Sequence, residues 1–238
     1  MKLNIKNFYL PIIAIFIIVS AYILGNLLFA NPSKLGLYPK DFGTLYGIIT
    51  VPFIHSDLNH LLNNAVSLFV LLSITNYFYR KGIYIVIAFG IIISGIILWF
   101  IGRESYHVGA SGLVYTLISY LFFKGITSSN RQKRAVALVV IFLYGGAIWY
   151  MLPNQISNIS WEGHFGGFLA GLILGVIFSE KEEQKYEYDW EDPNFNRYRD
   201  AFMKHFDESG NFTRTPHTHT TLPQISIKYT YIKKENSH

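Results

Sequence analysis

The first 180 residues return repeatedly to long apolar runs, and this constrains the fold more than any other feature of the chain. A helix that crosses a bilayer needs about 20 predominantly apolar residues. Stretches near 8–29, 57–79, 82–101 and 135–152 come close to or meet that length, and shorter ones lie near 111–123 and 161–178. The run at 8–29 follows Lys2 and Lys6 as a secretory leader would. It is longer than the roughly 7–15 apolar residues of a leader and runs into Asn31-Pro32 without a small-residue cleavage pattern, so it is read as a first span. With only 15% charged residues there is too little polar side chain to coat a soluble globule of this size. The expected class is an all-α, multi-pass integral membrane protein: a six-transmembrane-helix bundle over residues 1–180, with a short central fourth helix and an interfacial first loop.

The connections between runs carry unequal charge. Lys2, Lys6, Arg80, Lys81, Lys124, Arg131, Lys133 and Arg134 fall on one set of alternate ends, and only Lys34, Lys40 and Arg103 on the other. The lysine and arginine bias of cytoplasmic loops then predicts both termini in the cytoplasm and Ser111 toward the outer side. The same bias accounts for the net charge of +5, so no nucleic-acid partner is expected. Absence of cysteine excludes a thiolate nucleophile, a disulfide framework and a cysteine metal site.

Residues 31–55 are too broken by proline and glycine for a span and too apolar for an open loop. They are expected to lie in the membrane interface with Tyr38, Phe42, Tyr46 and Phe53 at headgroup depth. The tail at 181–238 is polar, aromatic and without a long apolar period, and is expected to be largely disordered and cytoplasmic. Its His217 and His219 read as solvated, and 224–234 alternates enough to allow one strand.

Polar side chains inside spans are costly and mark function. One group opens the second span, where His60 and Asn64 are four apart and share a helix face, with His55 just before as a loop brace. Asn63 lies about 100° round the helix, where a contact to another helix is expected. A second group is Gly109-Ala110-Ser111-Gly112, where a serine between glycines opens the short run. Ser111 is either a plain helix cap or a nucleophile next to free helix N–H groups, where anions are favoured. The third is His164, three residues before Gly167 on the face that also carries Gly171 and Gly175. Glycines four apart let two helix backbones approach closely, so His164 meets Ser111 if the neighbour is the short helix.

Taken together, in this order and on these runs, the set His55, His60, Asn64, Gly109, Ser111, Gly112, Tyr115, His164, Gly167 and Gly171 closely resembles the rhomboid intramembrane serine proteases. The resemblance implies a Ser-His dyad that hydrolyses transmembrane segments of membrane proteins without a cofactor. Ser111 would be nucleophile and His164 general base. Asn64, His60 and the Ser111 backbone N–H would form the oxyanion hole, Tyr115 would stack on His164, and His55 would brace the first loop. It also implies location in a bacterial plasma membrane. One departure is Tyr46-Gly47, where the family often carries Trp-Arg, and it leaves the anchoring of the first loop to be explained. A rhomboid-like protein that only binds or escorts transmembrane clients is the alternative. A metal site built from His55, His60 and His164 is the weaker one, since no acidic partner accompanies them.

Overall fold

A computed structural model describes residues 5–153, 159–178, 195–196 and 198–214. In its first unit, Met1–Lys181, the described residues form helices joined by loops, with one isolated bridge between Leu37 and His107. Helix α1 is Tyr9–Leu28, α2 is the single turn Gly47–Thr50, and α3 is Leu58–Phe78. Then come α4 at Ile83–Ile101, α5 at Ser111–Ile126, α6 at Arg131–Tyr144 and α7 at Trp161–Ile177. A 3-10 segment, Gly145–Met151, prolongs α6. Among the described residues four helical stretches are long and apolar enough to cross a membrane: Tyr9–Leu28, Leu58–Phe78, Ile83–Ile101 and Arg131–Met151. The chain is therefore described as an integral membrane protein, and α5 and α7 are the shorter apolar helices of the set.

Helix α5 is the centre of this unit, packing against α3, α4, α6 and α7. Ten of its 16 residues are buried, whereas α1 buries only Pro11, Ile18 and Gly25. A helix apolar all round and buried all round is a core helix, and one apolar all round but exposed faces lipid. Side-chain caps start three of the helices. Asp57 accepts from the His60 N–H, Asn130 from Gln132 and Lys133, and Ser160 from Gly163.

No side chain caps α5, which starts at Ser111 as the sequence predicts. Ala110 occupies the cap position and Ser111 is the first helical residue, with its hydroxyl uninvolved in capping. Asn63 is corrected: it is exposed, not packed on another helix, because the rotation that takes it off the buried Asn64 face turns it outward.

The second unit, Glu182–His238, is described only in part. Within it, a 3-10 turn at Met203–His205 precedes a bridge between Phe206 and Phe212. The His217 and His219 cluster and the strand expected at 224–234 lie outside the described residues, as does most of the tail expected to be disordered.

Candidate active site

The site is assembled where α5 and α7 cross. A Cβ at Gly167 would overlap the carbonyl oxygen of Gly112, and one at Gly171 would overlap that of Thr116. Only glycine allows backbones this close. Further along, Ser119 Oγ donates to the Phe168 carbonyl at 2.7 Å, so the seam is held by polar as well as steric contact. This seam brings the start of α5, carrying Ser111, alongside the first turn of α7, carrying His164. Gly112 lies 3.5 Å, measured from its would-be Cβ, from the Gly163 carbonyl oxygen.

His164 is buried and held on two sides. Its ring stacks on Tyr115 with centroids 4.3 Å apart and planes 14° from parallel. Its Nδ1 lies 3.0 Å from the Tyr150 carbonyl oxygen. A carbonyl can only accept, so Nδ1 carries the proton and a neutral ring leaves Nε2 bare as a base. The Tyr115 hydroxyl donates to the Ala147 carbonyl at 2.7 Å, so both stacked rings are tied to the 3-10 segment after α6. Among the described residues no hydrogen bond joins Ser111 to His164. Unliganded catalytic pairs are often loose in this way.

The expected oxyanion donors converge from α3. Gly109 has φ +111°, and a Cβ there would lie 2.5 Å from His60 Nε2 and 3.5 Å from Asn64 Nδ2. The loop entering Ser111 therefore runs directly over both side chains. Asn64 Nδ2 is buried with no hydrogen-bond partner among the described residues. An orphaned buried donor costs about 1–3 kcal/mol and calls for a reason, such as a group that arrives during reaction. His55 is buried and packs edge-on against His60, centroids 5.2 Å apart. Burial, with the neighbouring His60 adding to it, lowers its pKa to about 4, so it is a neutral ring.

The first loop holds the approach to Ser111. Leu37 and His107 exchange backbone hydrogen bonds of 3.0 and 2.8 Å, and Gly109 N–H donates to the Val51 carbonyl at 3.0 Å. Gly47 explains the Tyr46-Gly47 departure: a Cβ there would stand 2.6 Å from Leu37 Cα, so an arginine has no room. The anchoring is done instead by hydroxyls and an indole. Thr50 Oγ1 donates to the Leu35 carbonyl at 2.7 Å, Thr44 Oγ1 to that of Tyr38 at 2.8 Å, and Trp99 Nε1 to that of Asp41 at 3.2 Å.

A second layer behind Ser111 escaped the sequence reading. His107 Nε2 donates to the Arg103 carbonyl at 3.1 Å, and its Nδ1 sits 2.6 Å from the hydroxyl of Ser160, the residue that caps α7. Burial lowers the His107 pKa, consistent with this neutral tautomer. Glu162 is also buried; its Oε1 accepts from the Arg103 backbone N–H at 3.2 Å and pairs with the Arg103 side chain at 3.8 Å, so it does not orient His164. A cavity of about 20 Å³, room for one water, is lined by Ser94, His107, Ser111 and Ser160 among others. A buried histidine four residues before Ser111 was the available signal. No group of three or more His, Asp or Glu side chains suited to a metal occurs among the described residues.

These positions fall within a match to a known family. The profile described as Rhomboid domain covers residues 43–181, more than half of the chain. The uncharacterised protein Rv1337 of Mycobacterium tuberculosis is 29% identical over 157 residues, 63% of this chain and 65% of its own, so the chain spans just under two thirds of that relative. YdcA of Bacillus subtilis, provisionally named a rhomboid protease, is 25% identical over 146 residues, 60% of this chain and 72% of its own. RHOMBOID-like protein 2 of Arabidopsis thaliana is 29% identical over 161 residues, 64% of this chain and 47% of its own. With Gly109, Ser111, His164 and the α5–α7 glycine seam all inside the matched region, the chain belongs to the rhomboid family.

Proposed function

We propose that the protein is an intramembrane serine endopeptidase that cuts transmembrane segments of other membrane proteins with a Ser111-His164 dyad. The observation that carries the reading is the fixed tautomer of His164: its Nδ1 proton is committed to the Tyr150 carbonyl, and Tyr115 clamps the ring beside the start of α5. A backbone carbonyl does here what the acid of a triad does elsewhere, holding the base in one orientation.

In this reading His164 Nε2 takes the proton of Ser111 Oγ as the oxygen attacks the scissile carbonyl. Negative charge on the tetrahedral intermediate is met by the Ser111 backbone N–H, the Asn64 amide and His60. Each well-placed donor is worth on the order of 3 kcal/mol in such a site. The imidazolium then protonates the leaving amine, and water, activated by the same histidine, hydrolyses the acyl-enzyme. The other sequence expectations belong to the same reading. The six helices α1 and α3 to α7 form one bundle in a bacterial plasma membrane, α5 short and central with its start below the outer surface, and both termini are cytoplasmic. Residues 1–180 form the catalytic domain and 181–238 a separate tail.

The test is cleavage of a transmembrane reporter by protein reconstituted in vesicles. Wild type is expected to cut, and Ser111→Ala and His164→Ala to lose activity by at least about 10³-fold. Cleavage that survives Ser111→Ala refutes the dyad. The second reading, a non-catalytic relative that binds or escorts transmembrane clients, is favoured by the missing Ser111–His164 hydrogen bond. It requires that Ser111 stay unlabelled by a fluorophosphonate probe, whereas the protease reading requires labelling.

A further inference from the structure

Ser56 lies between a carboxylate and an imidazole. Its Oγ is 2.8 Å from Asp57 Oδ2 and 3.1 Å from His60 Nδ1. The hydroxyl has one hydrogen and both neighbours can accept it. The carboxylate is the stronger acceptor, so the hydrogen goes to Asp57, and Ser56 Oγ is left to accept from Nδ1–H of His60. The other oxygen of Asp57 accepts the His60 backbone N–H at 2.9 Å, which fixes the carboxylate at the start of α3. The two hydrogen bonds Asp57 receives lower its pKa, so it is ionised at neutral pH.

If neutral His60 keeps its proton at Nδ1, then Nε2, the nitrogen beside Gly109, has a lone pair and nothing to donate. It can serve an oxyanion only as an imidazolium, protonated on both nitrogens. We propose that Ser56 and Asp57 form a relay that fixes the Nδ1 proton of His60 and stabilises its imidazolium, so that Nε2–H points at the oxyanion position. Ser56 and Asp57 are thereby positioning residues, acting through His60. The second proton of His60 comes from solvent before substrate is bound, and no proton passes to the oxyanion.

The groups facing His60 set the balance. His55 packs on its ring from the preceding loop, centroids 5.2 Å apart, and the carboxylate of Asp57 reaches it through the Ser56 hydroxyl. The loop before α5 contributes the uncharged backbone of Gly109. Removing the relay therefore takes from the His60 imidazolium the hydroxyl and the carboxylate that support it.

The proposal rests on the protease reading for its meaning, but its first test does not need activity. In detergent-solubilised full-length protein labelled with 15N-histidine, the His60 ring signals are assigned by their loss in His60→Gln. The expected resting tautomer carries the proton at Nδ1, and the titration midpoint falls by about one pH unit in Asp57→Asn and in Ser56→Ala. Asparagine keeps the helix cap while removing the charge, and Ser56→Thr is expected to restore the midpoint. A neutral ring protonated at Nε2, or a midpoint the variants do not move, overturns the relay. In the reporter assay the alkaline limb of kcat/KM is expected to shift to lower pH by the same amount in both variants. Activity that still depends on Ser111 with an unmoved limb refutes the relay alone, while Ser111-independent cleavage refutes the protease reading and leaves the NMR result to decide the relay.

Discussion

At the scale of single residues, the site depends on atoms that the residue types alone do not reveal. Gly109 is the sharpest case. Its φ of +111° is one that side-chain-bearing residues rarely adopt, and a Cβ would meet the His60 ring at 2.5 Å. Gly109→Ala is expected to displace His60 and Asn64 together and lower kcat/KM on the order of 10²-fold, the cost of losing an oxyanion donor. Reporter kinetics check this, and an unaffected variant would remove both side chains from the reaction. The sequence pattern pointed to His60, Asn64, Ser111 and His164 because polar side chains in apolar runs are conspicuous. It could not point to Tyr150, whose part is played by a carbonyl every residue possesses.

Among the elements, the seam between α5 and α7 decides whether a site exists at all. The four-residue spacing of Gly167, Gly171 and Gly175 predicted a close-packing face, and Gly167 and Gly171 meet backbone carbonyl oxygens of α5. Such atoms cannot swing aside as a side-chain tip can. Gly171→Ala is therefore expected to destabilise the protein by about 1–3 kcal/mol and to lower activity by parting Ser111 from His164. Gly145→Ala provides the contrast: nothing stands within 4 Å of its would-be Cβ, so its stability should stay within about 0.5 kcal/mol of wild type. Thermal unfolding in detergent distinguishes the two. The helix positions were legible because apolar length is written in composition. The starts of α5 at Ser111 and of α7 at Trp161 were legible, whereas α6 begins at Arg131, ahead of its apolar run, because Asn130 caps it there.

For the whole membrane unit, buried histidines make stability depend on pH. His55 has a folded pKa of about 4 against an ordinary 6.5, and burial lowers His107 as well. Between those values the unfolded chain binds protons that the folded protein refuses, so stability is fully present above about pH 6.5 and is lost as pH falls toward 4. His55 contributes on the order of 2–3 kcal/mol to this loss. The lowered pKa of Asp57 adds a further loss, but only below the ordinary carboxylate range. The melting temperature of the detergent-solubilised protein is expected to drop between pH 7 and pH 4.5. The drop should be smaller in His55→Gln, and an equal drop would remove His55 as its source.

From the sequence alone came the membrane class, the six helical runs, the glycine face of α7 and the set of polar side chains that stand inside apolar stretches. These are consequences of composition and period, which act along the chain and need no partner. Tertiary structure alone decided how those side chains are protonated and what holds them: the Tyr150 carbonyl on His164, Ser56 on His60, Ser160 on His107, and Gly47 in place of an arginine. Each of these joins segments or backbone atoms whose distance and direction are set by packing, and a hydrogen bond depends on both.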